Sequence, residues 1–523
     1  MRRPALRRAR RILPAALIAV SLLVAACSAS SGPAATSHPA TGTPTSAAKP
    51  ARPAGPDTLA GYYAQKLRWS SCHNGFQCTR LLVPFDYQRP AWRRFSLPVI
   101  RLPATDPHAR IGSLLVNPGG PGGSGVQYAL GARTQISAAV RARFDVVGFD
   151  PRGVGGSIPA ISCLTGPQLD KFFETSDAPV TAAQRATVVS QSKLFARGCE
   201  QHSGALLPYV GTANSARDMD VLRAALGDAK LTYLGKSYGT YLGTWYAQLF
   251  PSHVRALVLD GAVDPGEPAF SMNVVQAQGF QVALASFIGD CLRMSACPLG
   301  HGGTVAAATA RLQTLLNGAA RKPLTSQVSG QPGDAPLLLN GIAAALYSKS
   351  YWPYLREGLA AAMAGNGSIL VELSDVLLER NQQGQYSNLT EAEAAVDCVD
   401  RPWPHSLSAW QSAAAAAAKT APMFGATLMW GSLACAYWPV RPAKPVRLRA
   451  KGAPPILVVG TTRDPATPFR WAQALSHNLV SGVLLGWNGD GHTAYMVDSS
   501  CIDSAVDKYL ISLVPPRSGT ICP

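Results

Sequence analysis

Apolar residues along this chain follow two rhythms. Over residues 81–260, short apolar runs at 81–84, 95–100, 112–116, 144–150, 231–234 and 254–260 alternate with polar or helically spaced stretches. Runs of this kind predict strands buried on both faces, and the segment 214–226, with Ala216, Met219, Val221, Leu222 and Ala225, predicts a helix ahead of the 231–234 strand. Strands alternating with helices give an α/β class: a mostly parallel sheet with helices on both faces. Between about 263 and 440 that rhythm stops. Segments 280–292, 305–316, 337–355, 370–378 and 407–418 are apolar at helical spacing, with few strand candidates. This predicts a helical cap over 263–440, inserted between two pieces of one sheet domain, 59–262 and 441–523. The strand rhythm returns at 455–460 and 483–487.

The first 58 residues obey neither rhythm. Six arginines stand within the first eleven positions, and an apolar run follows to Ala26. A basic start, an apolar stretch of this length and small residues before Cys27 predict a secretory signal over 1–26. Val24-Ala25-Ala26-Cys27 resembles the bacterial lipobox, which implies a lipid-modified Cys27 and a tether to the outer face of the membrane. A plain signal peptide is the alternative, and shedding into the medium is compatible with either. Residues 27–58, rich in Ala, Ser, Thr, Pro and Gly, are expected to be a flexible linker.

Charge and cysteine fit an exported protein. Removing 1–26 lowers the net charge from +17 to +11, spread without a Lys/Arg block, so nucleic-acid binding is not indicated. Apart from Cys27 there are ten cysteines, an even number that suggests disulfides. Sequence order suggests the local pairs 72–78, 163–199, 291–297, 398–435 and 501–522, although order alone leaves connectivity open. None lies in a C-x-x-C pair or at zinc-ligand spacing from a histidine, so no metal is expected.

Three polar clusters follow predicted strands. Gly235-Lys236-Ser237-Tyr238-Gly239 has the form of a sharp strand-to-helix turn holding one serine at its apex. Alone it is weak evidence, since a glycine-rich chain produces G-x-S-x-G by accident. Its context is stronger. Asp464 follows the 455–460 strand and His492 the last one, so Ser237, Asp464 and His492 stand in α/β-hydrolase order. In that reading Ser237 is the nucleophile, His492 the base and Asp464 the orienting acid. Asp260, at the end of its own strand, is the alternative acid, Asp490 reads as a turn residue, and Thr467 is a candidate partner for the Asp464 loop. Upstream, Asn117-Pro118-Gly119-Gly120-Pro121-Gly122-Gly123 leaves backbone amides open to an anion, and no Gly-Lys-Ser/Thr follows that would hold a nucleotide. The expected oxyanion donors are the Tyr238 N–H and one from the Gly119-Gly120 turn. No cofactor is expected.

These motifs, with Asp150-Pro151-Arg152-Gly153 and Asp464-Pro465-Ala466-Thr467-Pro468, resemble the secreted tripeptidyl aminopeptidases of actinobacteria. Those are α/β-hydrolases related to prolyl iminopeptidases, with a helical cap. The likeness runs from about Tyr62 to Cys522, and Pro118 stands where prolyl iminopeptidases have histidine. It implies release of short peptides from free N-termini, and therefore an anion for the substrate α-ammonium. Among Glu391, Glu393, Asp397 and Asp400, the likeness of Cys398-Val399-Asp400 to the family's cap motif makes Asp400 and Asp397 the candidates. A solvated acidic helix face is the competing reading. A carboxylesterase or amidase using the same triad, and a non-catalytic envelope-binding protein, are the other classes the sequence allows.

Overall fold

In the computed structural model the residues described are 56–175 and 178–523. The signal, the Cys27 anchor and most of the linker therefore lie outside them. Among the described residues ten strands form one sheet: β1 Ser70–Ser71, β2 Gln77–Pro84, β3 Arg94–Leu102, β4 Gly112–Asn117, β5 Phe144–Phe149, β6 Leu231–Lys236, β7 Val254–Asp260, β8 Ile456–Arg463, β9 Gly482–Asp490 and β10 Thr520–Cys522. Their order is β1-β2-β3-β5-β4-β6-β7-β8-β9-β10. Pairs up to β3/β5 are antiparallel and all later ones parallel.

The continuous apolar runs have a simple cause. Successive strand residues point to opposite faces, and both faces are covered. Leu115, Tyr233, Leu257 and Val458 pack into one core with the helices Thr212–Leu226 and Tyr238–Leu249. Their neighbours Leu114, Leu234, Val258 and Leu457 pack on the other side, against Ser500–Ser512 and Ala138–Arg143. Parallel strands joined by helices bring several strand ends to one edge, and Asn117, Lys236, Asp260, Arg463 and Asp490 all end strands there.

Between β7 and β8 the described chain is helical, from Ala269–Leu292 through Gly425–Gly431. The earlier of these helices, up to Ser368–Leu378, have a core of their own around Phe287, Leu312, Leu338, Ile342, Leu355 and Leu370, whereas Leu389–Asp400, Leu407–Thr420 and Gly425–Gly431 bury Val396, Trp410 and Trp430 in the same core as the sheet. One sequence expectation fails here. The stretch 337–355 is two helices, Ala335–Leu346 and Trp352–Met363, because Pro353 can only open a helix and Ser348 leaves to bridge Gly491. The excursion between β5 and β6 also joins the cap side: Glu391 accepts from Cys163 N and Leu164 N (2.8 and 2.7 Å), and Arg380 pairs with Asp170 (2.9 Å). All five cysteine pairs suggested by sequence order are disulfides. Two of them, Cys291–Cys297 and Cys398–Cys435, brace the cap.

Candidate active site

Ser237 sits between β6 and the helix Tyr238–Leu249 with φ 55° and ψ −127°, a backbone conformation costly for a side-chain-bearing residue. Packing enforces it. A β-carbon on Gly235 would stand 2.4 Å from Gly239 O, so strand and helix meet too closely for any other residue. Ser237 N donates to Asp260 O (2.9 Å), tying the serine to the neighbouring strand end.

His492 follows β9 by two residues. Its Nδ1 lies 2.9 and 3.0 Å from the two oxygens of Asp464, whose side chain is fully buried. Asp464 also accepts from Ala466 N (2.9 Å), Thr467 N (2.8 Å), Thr467 Oγ1 (3.0 Å) and Thr493 N (3.1 Å). A carboxylate accepts only, so the Nδ1 proton faces Asp464 and Nε2 is left as the basic nitrogen. That Nε2 is buried and has no hydrogen-bond partner. Thr467 takes the place expected of it, with Oγ1 also 3.3 Å from His492 Nδ1. His492 N donates to Tyr347 O (2.8 Å), and the Tyr347 ring meets the imidazole edge-on at 5.3 Å. Tyr347 belongs to the cap and had no distinguishing signal in the sequence.

Asp260, the alternative acid, and Asp490, read as a turn residue, are engaged elsewhere. Asp260 accepts from Ala494 N and Tyr495 N (2.9 and 3.0 Å). Asp490 pairs with Arg463 (2.7 Å) and accepts from Ser286.

The glycine turn after β4 packs on the serine elbow. With φ +102°, a β-carbon on Gly119 would lie 2.6 Å from Lys236 O and 2.9 Å from Tyr238 N. One expectation needs correction. Gly119 N–H donates to Asn117 Oδ1 (3.0 Å), so it is not a free oxyanion donor. Gly120 N–H makes no hydrogen bond among the described residues and is the remaining candidate. Tyr238 N–H, the first of its helix, has no intrahelical acceptor.

Above the serine is a cavity of about 750 Å³. Ser237, Tyr238, Gly119, Gly120 and His492 form its floor; Tyr347, Glu393, Asp397, Arg401, Trp403 and Trp430 are among its cap residues. The four acids of the cap helix Leu389–Asp400 separate clearly. Glu391 caps the amides of 163 and 164. Asp400, expected to bind substrate, does not line the cavity: the N–H (2.9 Å) and hydroxyl of Thr212 both donate to it. Asp397 does line it, with Arg401 Nη1 at 3.9 Å. Glu393, passed over in the sequence, lines it and accepts no hydrogen bond among the described residues. Its signal was spacing, since 393 and 397 are one helical turn apart on one face. Burial, then the charge of Asp397, pushes the Glu393 carboxyl up to about 8. Burial raises Asp397 to about 6 even though Arg401 opposes it, and Asp400 adds to the rise.

Among the described residues, one grouping of His, Cys, Asp or Glu is close enough to hold a metal, Cys72, His73 and Cys78, and its two sulfurs are joined in a disulfide.

A fold of this topology with a serine elbow after β6 defines an α/β-hydrolase. Family models agree: residues 112–326 match the alpha/beta hydrolase fold and 421–522 match the TAP-like protein family. Serine protease Hip1 of Mycobacterium tuberculosis is 37% identical over 480 residues, covering 88% of this chain and 91% of that one. Carboxylesterase B of the same organism is 37% identical over 495 residues, covering 90% and 92%. Tripeptidyl aminopeptidase of Streptomyces lividans is 34% identical over 446 residues, covering 83% and 81%. The chain belongs to the tripeptidyl aminopeptidase family of α/β-hydrolases, and it is a serine hydrolase.

Proposed function

We propose that this enzyme is an exported serine exopeptidase that releases short peptides, tripeptides by analogy with its relatives, from free N-termini. Ser237 Oγ attacks the scissile carbonyl while His492 Nε2 takes its proton, and Asp464 stabilises the imidazolium. The developing oxyanion is held by Tyr238 N–H and Gly120 N–H. His492 then returns the proton to the leaving amine, and water, deprotonated by the same nitrogen, releases the acyl peptide and regenerates the serine.

The observation that carries the exopeptidase reading is the cap pair Glu393 and Asp397, facing the same cavity as Ser237 with Glu393 unbonded. An ionised carboxylate without a partner in a partly enclosed cavity is costly unless a cation joins it, and a substrate α-ammonium is such a cation. Hydrolysis of matched peptides with free and N-acetylated termini tests this. The free peptide is expected to be cleaved and the acetylated one spared; equal turnover of both would overturn the exopeptidase reading. It would favour the second reading, an esterase or amidase, which the Carboxylesterase B relative supports.

The basic and apolar 1–26 segment and Cys27 support export with a lipid anchor. Cys27→Ser is expected to move the activity from the membrane fraction to the medium.

A further inference from the structure

Asp260 and Lys236 form a buried ion pair that the proposed chemistry does not use. Lys236 Nζ and Asp260 Oδ2 are 3.7 Å apart, and the Asp260 side chain is fully enclosed. Their other bonds are directional. Asp260 O accepts from Ser237 N (2.9 Å), on the nucleophile side. Asp260 Oδ1 and Oδ2 accept from Ala494 N and Tyr495 N (2.9 and 3.0 Å), the amides two and three residues after His492. Lys236, directly before Ser237, reaches the same loop at Tyr495 O (2.9 Å) and Thr493 Oγ1 (3.3 Å). Asp260 is thus bonded through its backbone to the serine elbow and through its side chain to the histidine loop.

Besides the bond from His492 N to Tyr347 O in the cap, two carboxylates hold the loop after β9 from the sheet. Asp464, at the end of β8, holds Thr493 N and His492 Nδ1. Asp260, at the end of β7, holds the next two amides. The imidazole's other nitrogen, Nε2, is buried and has no hydrogen-bond partner among the described residues. Its distance to Ser237 Oγ is therefore set by how the loop is held, and Asp464 acts on one side of that gap alone.

We propose that Asp260 is a positioning residue that sets the approach of His492 Nε2 to Ser237 Oγ, with Lys236 as its counter-charge. The proposal rests on Ser237 and His492 being nucleophile and base. It is not a stability claim. Buried ion pairs often contribute little net stability, and burial raises the Asp260 carboxyl and lowers the Lys236 ammonium from their usual ranges. What the pair supplies is registry between two strand ends and a loop. A misplacement of about 1 Å between reacting groups costs on the order of 10² in rate.

The test uses Asp260→Asn and Lys236→Met in the mature enzyme. Asparagine presents an NH2 where one loop amide expects an oxygen, whereas Lys236→Met leaves both amide bonds of Asp260 in place. For Asp260→Asn we expect kcat to fall by roughly 10–10², with KM for the same peptide within about twofold. For Lys236→Met the fall is smaller. The far-downfield proton resonance of the His492–Asp464 hydrogen bond should persist in both variants, because Asp464 and its donors are untouched. Two folded variants with kcat within about twofold of wild type would overturn the proposal. So would a loss of kcat together with that resonance, since Asp260 would then act through the Asp464 bond. Fluorophosphonate labelling of Ser237→Ala is the separate control: if the alanine variant still labels at the active site, the triad itself is wrong.

Discussion

The floor and the ceiling of the cavity treat their charged groups in opposite ways. On the floor, Asp464 accepts four N–H or O–H donors besides His492, and Asp260 is bonded to the loop beyond it. In the ceiling, Glu393 has no hydrogen bond among the described residues, and the nearest cation to Asp397 is Arg401 at 3.9 Å. Carboxylates held by many donors cannot turn, which suits groups that must keep a reacting geometry. Carboxylates left bare keep their capacity for something that arrives later. Two acids on the same cap helix underline the contrast, because Glu391 and Asp400 each accept two hydrogen bonds and neither lines the cavity.

The floor breaks hardest. Ser237→Ala is expected to lower kcat by about 10⁵–10⁶ on any substrate, and Asp464→Asn by about 10⁴, because asparagine would favour the wrong imidazole tautomer. Steady-state rates on one peptide and one small ester check this. A loss confined to peptides would mean that the floor is not general to acyl transfer.

Next in size is Gly119→Ala. The added carbon would meet Lys236 O at 2.6 Å and Ser237 Cβ at 2.8 Å, at a φ of +102° that alanine resists. The turn must shift, taking Gly120 N–H from the oxyanion position. We expect kcat to fall by about 10²–10³ with little change in KM, as for loss of one oxyanion donor. A dominant rise in KM would place the turn in substrate binding and blur the division between floor and ceiling.

The two halves were also unequally legible from the sequence. Sheet and triad could be read because their signals are local: an apolar run, then a glycine or polar cluster at its end, in fixed chain order. Ser237, Asp464 and His492 each follow their own strand, and the five cysteine pairs join neighbours in cysteine order. Most of what escaped depends on packing between distant segments. Asp400 was drawn off by Thr212, 188 positions away, which no helical wheel reveals. Tyr347 holds His492 N through a backbone carbonyl, a contact blind to side-chain type. Gly119 lost its donor to a side chain two residues back. That short Asn117 contact competes with the oxyanion role in a way the motif alone does not show.

The ceiling is tested by Glu393→Gln, which keeps shape and removes charge. Losing one partner of a desolvated charge pair costs about 2 kcal/mol or more, roughly 30-fold in kcat/KM, and we expect it for free-amine peptides but not for a neutral ester. The pH profile should carry the same mark. With Glu393 at about 8 and Asp397 at about 6, the empty pair keeps one negative charge between those values and none below about 6. The ratio of amine-substrate to ester kcat/KM is therefore expected to fall as pH drops through 6, a quantity from which any titration of the base cancels. A flat ratio would remove Asp397 from amine binding.

The smallest effect probes the ceiling without any substrate. A glutamate held at about 8 in the folded protein binds a proton that the unfolded chain has already lost above its ordinary value near 4.5. The folded state then carries more protons, so this group's contribution to stability falls as pH rises from about 4.5 to 8. Glu393→Gln removes that dependence. Its melting temperature should match wild type near pH 4.5 and exceed it by about 2 °C or more at pH 8, measured by thermal unfolding. A saturating free-amine product should shrink or reverse the difference, because the ligand's ammonium stabilises wild type and has no charge to meet in the variant. If the gap were independent of both pH and ligand, Glu393 would already be paired in solution. Its bareness, the property that separates ceiling from floor, would then not exist.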